Sequence, residues 1–245
     1  MSGPREASGV SGGGGQGPAL DVLVVGAHPD DAEIGLGGTI ARLATGGLRV
    51  GIVDLTDGEP TPYGDPQTRR KEAQQAAEIL GAAQRLTLGL PNRYLRDTVE
   101  ARRALAEVYR TLRPMVVFGL LPQDQHPDHL AAAEIALNAR FYAKLTKTDM
   151  PGDPYYPPLL FRYATSHLRR VLLPSAVVDI SSAFQRKLKA VLAYQSQFGW
   201  RKEELVDRLT TTAKFYGGKI GVAYGEPIFS PEELPIWDPV HLLPP

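Results

Sequence analysis

Short apolar runs and longer stretches of helical periodicity alternate along this chain. Val22–Gly26 (VLVVG) and the segments 49–55 and 115–119 have strand length and few polar interruptions, the pattern of strands covered on both faces; 85–88 is a shorter one. Between them, 32–46, 69–80 and 98–112 place apolar or small residues on one helical face, with Gly46-Gly47 and Gly81 as stops. Further on, the pattern predicts a helix over 129–145 and strands over 159–164 and 176–180. A helix capped by Ser181 or Ser182 then runs to Phe198, and a last one spans 202–224. Strand, helix and strand in succession form a right-handed crossover with parallel strands. The fold class read from the pattern is therefore α/β.

Polar chemistry concentrates where two of the predicted strands end. His28, Asp30 and Asp31 follow the first strand as HPDD, and His126, Asp128 and His129 follow 115–119 as HPDH. In a parallel sheet the carboxyl ends of the strands open on one edge, so the two segments meet across a single crevice. Crowded carboxylates repel unless a proton or cation sits between them, and a divalent metal is the simplest remedy. The plainer reading makes Asp30, Asp31 and Asp128 helix caps and the histidines ordinary loop residues. Three of the five histidines in two such windows weigh against it. His167 and His241 lie outside both clusters and read as surface or packing residues.

Composition narrows the chemistry further. The 245 residues suffice for one sizeable core, and 20–245 is read as a single domain. Residues 1–19 form a Gly/Ser-rich leader with too few large side chains to pack, and 226–245, with six prolines and Trp237, an irregular arm. The chain has no cysteine, so a transition-metal site must use histidine and carboxylate. Lys plus Arg equals Asp plus Glu at 27 each, which leaves no global positive field for nucleic acid or an anionic membrane. No segment has the roughly 18 apolar residues of a membrane span, and the first residues lack a signal peptide's apolar centre. A cytoplasmic protein acting on a small substrate is expected.

Three protein ligands and a water make the usual open zinc site, and five groups are available here for three places. The spacing points to His28, Asp31 and His129 as ligands and leaves Asp30 free as a base. His126 is then placed to protonate a leaving group or steady an oxyanion, and Asp128 to orient either histidine. The proline-rich loop 56–68 lies on the same edge and offers Glu59 and Tyr63 as substrate contacts, while Arg69 in the next helix's first turn suggests a carboxylate or substrate partner. Asp54, ending the second strand, invites a dinucleotide-binding reading, but the first turn is GAHPDD rather than GxGxxG. Two other rivals are a metal-dependent phosphoesterase, for which no Gly-rich anion loop is visible, and a metal- or carbohydrate-binding protein without turnover.

The motifs AHPDDAEIGLGGTI (27–40), TRRKEAQQAAEILG (68–81) and DQHPDH (124–129) resemble the PIG-L/LmbE-like family of zinc-dependent N-acetylglucosamine deacetylases, over about 20–224. VDIS (178–181) and AYQSQF (193–198) are similar to its bacillithiol-biosynthesis branch, which deacetylates N-acetylglucosaminyl-malate, although Gln125 stands where that branch often has a basic residue. The resemblance implies a Rossmann-like three-layer sandwich, zinc on His28, Asp31 and His129 (Fe2+ or another divalent ion being alternatives), Asp30 as general base, and His126 at the tetrahedral intermediate or leaving amine. It also implies that Arg69 contacts the sugar or its aglycone, and that the chain forms a homo-oligomer, a hexamer by analogy. Diacetylchitobiose or free N-acetylglucosamine is the alternative substrate.

Overall fold

The computed structural model describes residues 20–167 and 171–235. The leader 1–19 and, in the arm, residues 236–245 with Trp237 and His241 lie outside the described residues.

A parallel sheet is built from β1 (Val22–Gly26), β2 (Val50–Asp54), β3 (Gln84–Thr87), β4 (Val116–Leu120) and β5 (Leu159–Tyr163), in the order β3-β2-β1-β4-β5. Every residue of β1 and β2 is buried, as their apolar runs require. The crossovers are α1 (Asp31–Thr45), α2 (Pro66–Leu80), α3 (Val99–Leu112) and α4 (Pro127–Ala143). Helices α3 and α4 pack on each other, whereas α1 and α2 pack with α5 (Phe184–Val191), giving helical layers on either side of the sheet. The α/β, three-layer, mostly parallel architecture is the expected one.

The sheet grows from β1 toward β2 and β3 in one direction, and β4 lies on the other side of β1, paired in parallel from Val22 opposite Val116. The chain therefore reverses its winding between β1 and β4. Such a switch point leaves a crevice beyond the strand ends that no connection crosses, and both polar clusters are placed there.

Two helices begin earlier than periodicity predicts. α2 starts at Pro66 with Asp65 as its cap, accepting from the backbone N–H of Gln67 and Thr68. α4 starts at Pro127. Proline in the first turn sacrifices no hydrogen bond, since that N–H has no partner within the helix.

The C-terminal third departs further. Neither Ser181 nor Ser182 caps a helix: Ala183 holds the cap position, and the Ser181 hydroxyl accepts from Tyr224 N–H. The helix expected to reach Phe198 breaks into α5 and α6 (Gln195–Phe198), because Glu72 of α2 accepts both the N–H and the hydroxyl of Ser196. Helix α7 (Lys202–Lys219) stops before Gly221, whose φ is +74°. The supposed irregular arm instead opens with β7 (Gly225–Ile228), antiparallel to β6 (Ala176–Asp179).

β7 also delivers Glu226 to α1. Its carboxylate accepts from Gly38 N–H (2.9 Å), from Thr39 N–H and hydroxyl (2.6 Å each), and from Lys187 Nζ of α5 (2.5 Å), all buried. A Cβ on Gly38 would stand 2.7 Å from the Ile180 side chain, so the bare backbone is what lets α1 approach this region.

Candidate metal centre and active site

The crevice is assembled around Asp31. Its Oδ2 accepts from the N–H groups of Ala27 (3.0 Å) and His28 (2.9 Å), fixing the turn after β1. Its Oδ1 lies 3.2 Å from His129 Nε2, and Oδ2 lies 3.6 Å from His28 Nδ1. Burial alone would raise the carboxyl's pKa, but His129 and His28 beside it hold it well below the usual range.

Each imidazole is backed by a second carboxylate. His28 Nε2 is 3.1 Å from Asp128, whose oxygens also accept from Arg93 N–H (2.7 Å) and Leu95 N–H (3.2 Å). His129 Nδ1 is 3.0 Å from Asp124 and 3.1 Å from the Thr165 hydroxyl. These outer groups set the tautomers, leaving His28 Nδ1 and His129 Nε2 to face Asp31.

The donor set fits a divalent ion. His28, Asp31 and His129 offer ligand atoms within 4.8 Å of one another, Asp31 and His129 buried and the His28 side chain 12% exposed. Although burial opposes protonation, the carboxylates raise His28 to about 9 and His129 to about 10. A field that draws protons onto two neighbouring imidazoles also attracts a divalent cation. His28, His126 and Asp128 form a second such group. There the Asp128 oxygens already accept backbone donors, and His126 Nδ1 accepts Asp128 N–H at 3.1 Å.

Asp30 and His126 face the same cavity, of about 230 Å³. Asp30 occupies the cap position of α1 at φ +112° but makes no cap hydrogen bond. Its carboxylate instead accepts from Arg69 Nη2 at 2.9 Å, and the same nitrogen donates to Pro29 O at 2.5 Å. Burial pushes Asp30 up to about 7 against the opposing pull of Arg69. His126 caps α4 through Nδ1, so the neutral ring carries its proton on Nε2. Burial, with His129 and His28 nearby, lowers its pKa to about 4.

His28, Asp30, Asp31, Arg69, His126 and His129 all line the cavity, with Asp128 directly behind His28. Glu59 is not brought to it: both carboxylate oxygens are turned onto Thr61, accepting its N–H at 2.6 Å and its hydroxyl at 2.9 Å. Tyr63 is 70% exposed, with its ring 6.3 Å from that of Trp200. Asp54 is held by Arg85 through two bonds, of 2.6 and 2.8 Å, and is fully buried, away from any ribose.

His167, read above as a surface or packing residue, lines the cavity too, with its ring 5.3 Å from His126 and 5.6 Å from His129. The signal was its place just beyond β5, whose carboxyl end opens on the same edge. Asp124 and the cavity-lining Arg93, Gln197 and Arg201 were also without assigned roles.

A parallel sheet with a His-Asp-His cluster at its switch point defines an α/β protein whose crevice carries donors able to hold a metal ion. Comparison with known proteins agrees. Residues 23–140 match the family model for PIG-L, GlcNAc-PI de-N-acetylase. The chain is 34% identical over 223 residues to diacetylchitobiose deacetylase of Thermococcus kodakarensis, spanning 84% of this chain and 81% of that one. It is 27% identical over 211 residues to the probable N-acetyl-alpha-D-glucosaminyl L-malate deacetylase 2 of Bacillus anthracis, spanning 79% and 90%. The crystal structure of a conserved protein from Thermus thermophilus superposes with a TM-score of 0.82 at 42% identity, covering 89% of this chain and 99% of that one. The chain belongs to the PIG-L family of deacetylases.

Proposed function

We propose that this protein is a zinc-dependent N-deacetylase that hydrolyses the acetamide of an N-acetylglucosamine-containing small molecule, releasing acetate and a free amine. The observation that carries the reading is the convergence of His28, Asp31 and His129 with Asp30 and His126 on one cavity. Two imidazoles and a carboxylate suit zinc, with ferrous iron the alternative. When bound, the ion supplies a Lewis acid that polarises the amide carbonyl and acidifies the attacking water.

The chain's own groups complete the chemistry. Asp30, held by Arg69 and titrating near neutrality, takes the proton of the attacking water and passes it to the departing amine. His126, neutral and carrying its proton on Nε2, donates to the carbonyl oxygen as negative charge builds there. Its low basicity supports this role over protonation of the amine. Asp128 and Asp124 hold the two ligand imidazoles in their tautomers. Arg69 lines the cavity and places its positive charge beside the bound substrate.

Two kinds of relative bracket the substrate, a chitobiose deacetylase and a malate-glycoside deacetylase. The test is amine release from N-acetylglucosamine, diacetylchitobiose and N-acetylglucosaminyl-malate by metal-stripped protein with and without added zinc. Zinc-restored turnover of any of the three supports the reading; zinc binding with no turnover of any overturns it. Assembly as a homo-oligomer belongs to the proposal on family analogy and is read by light scattering. Among the described residues no helix is long and apolar enough to cross a membrane.

A further inference from the structure

Two of the most exposed aromatic rings belong to chain segments that line this cavity. Tyr63, from the proline-rich loop, is 70% exposed and Trp200 is 66% exposed, with ring centroids 6.3 Å apart and planes at 57°. Both are tied to the cavity wall through their neighbours. Thr61, near Tyr63 in the chain, lines the cavity, as do Phe198 and Arg201 on either side of Trp200. Gln197 Nε2 donates to Thr61 Oγ1 at 3.1 Å, clasping the two rim segments together. The Arg201 guanidinium sits 5.0 Å from the Trp200 ring and 5.4 Å from the Phe198 ring, and its Nε is buried without a hydrogen-bond partner.

Large apolar faces left in water beside a polar cavity mark a binding surface. The cavity, of about 230 Å³, takes a sugar ring with its acetamide and opens to solvent on one side. Whatever is attached to that ring emerges past the rim. A pyranose has one face of C–H groups that lies flat on an aromatic ring, while its hydroxyls need donors and acceptors at the edge. Gln197 and Arg201 supply such groups beside Trp200.

We propose that Tyr63 and Trp200 form a stacking platform for a second sugar ring, so that the substrate is an N-acetylated di- or oligosaccharide rather than a monosaccharide joined to a small acid. This deepens the deacetylase reading and rests on it for the position of the first ring.

Binding and turnover test it separately. The chain has two tryptophans, Trp200 and Trp237, so W237F leaves Trp200 as the sole indole reporter. In a zinc-loaded D30A/W237F protein, which turns substrate over slowly, diacetylchitobiose should shift Trp200 fluorescence saturably at concentrations where N-acetylglucosamine does not. In the otherwise unchanged enzyme, W200A and Y63A should each lower the ratio of kcat/KM for diacetylchitobiose over N-acetylglucosamine by about 5- to 20-fold, the range supported by uncovering one aromatic face. The loss should fall on KM, and W200F should restore most of it.

Identical fluorescence responses to the two sugars, or a ratio unmoved in both alanine variants, would overturn the platform. An unmoved ratio with a changed elution volume would assign the pair to contact between copies of the chain instead. Saturable fluorescence without turnover by the parent enzyme would keep the platform and remove the catalytic reading.

Discussion

Asp124→Asn isolates a group that, in the proposed metal site, supports a ligand imidazole without touching the ion. Asp124 Oδ1 accepts His126 N–H at 2.8 Å, while Oδ2 faces His129 Nδ1 at 3.0 Å and the Thr165 hydroxyl at 3.2 Å. In the variant the side-chain oxygen keeps the His126 amide, which places an NH2 donor against Nδ1. Nδ1 must then accept, and the imidazole proton moves to Nε2, the atom facing Asp31. A protonated Nε2 cannot bind a cation. Losing such a supporting carboxylate costs about 10- to 100-fold in metal affinity, or about 1.4 to 2.7 kcal/mol. An independent route agrees, since a hydrogen bond to a charged group is worth about 1.5–3 kcal/mol. The assay is competition for zinc against a chromophoric chelator at neutral pH. Thr165→Val, which removes a neutral neighbour of the same nitrogen, should weaken binding far less. If the D124N protein bound zinc as tightly as the parent, the tautomer argument, and with it the assignment of His129 Nε2 as ligand, would be wrong.

Other perturbations separate chemistry from scaffold. Asp30→Ala should lower kcat by about 10²- to 10⁴-fold with zinc content unchanged by elemental analysis; full activity would refute its role as base. Glu226→Gln strands the buried Lys187 ammonium and should reduce stability by about 3–5 kcal/mol, seen as a lower urea midpoint; an unchanged midpoint would show the clasp to be dispensable. Gly38→Ala drives a Cβ to 2.7 Å from Ile180 and should cost about 1–3 kcal/mol in the same assay. In the metal-free protein, His28 and His129 are raised above their unfolded values, to about 9 and about 10. Their contribution is therefore complete below the unfolded histidine pKa and is lost as pH climbs through those values. Thermal melts of chelator-treated protein should decline across that alkaline window, and a flat profile would contradict the field described around Asp31.

The sheet and both clusters are readable along the chain because the same physics writes them twice. A strand covered on both faces must be apolar throughout, so VLVVG and MVVFG stand out, and the polar groups that follow can only face the open edge. What escapes such reading depends on partners distant in sequence. His167 follows β5 in an ordinary-looking Ala-Thr-Ser-His run, and only the pairing of β5 beside β4 carries it to His126. Glu59 looks available in a polar loop, yet Thr61 satisfies its carboxylate locally. The break after α5 is imposed by Glu72, more than a hundred residues earlier, and the short, proline-bearing β7 has too little apolar periodicity to announce itself. Pro66 and Pro127 did mark their helix starts; apolar spacing merely registered them a few residues late.

The contact between Glu226 and α1 spans 188 residues of chain. Synthesis from the amino end makes His28, Asp31 and His129 before Glu226. Until that carboxylate arrives, Lys187 has no counter-charge and α1, which carries Asp31, lacks its outer anchor. The order of translation thus makes the completion of α1 wait on the synthesis of β7. A nascent chain halted short of β7 would present His28, Asp31 and His129 without the brace on the helix that carries Asp31.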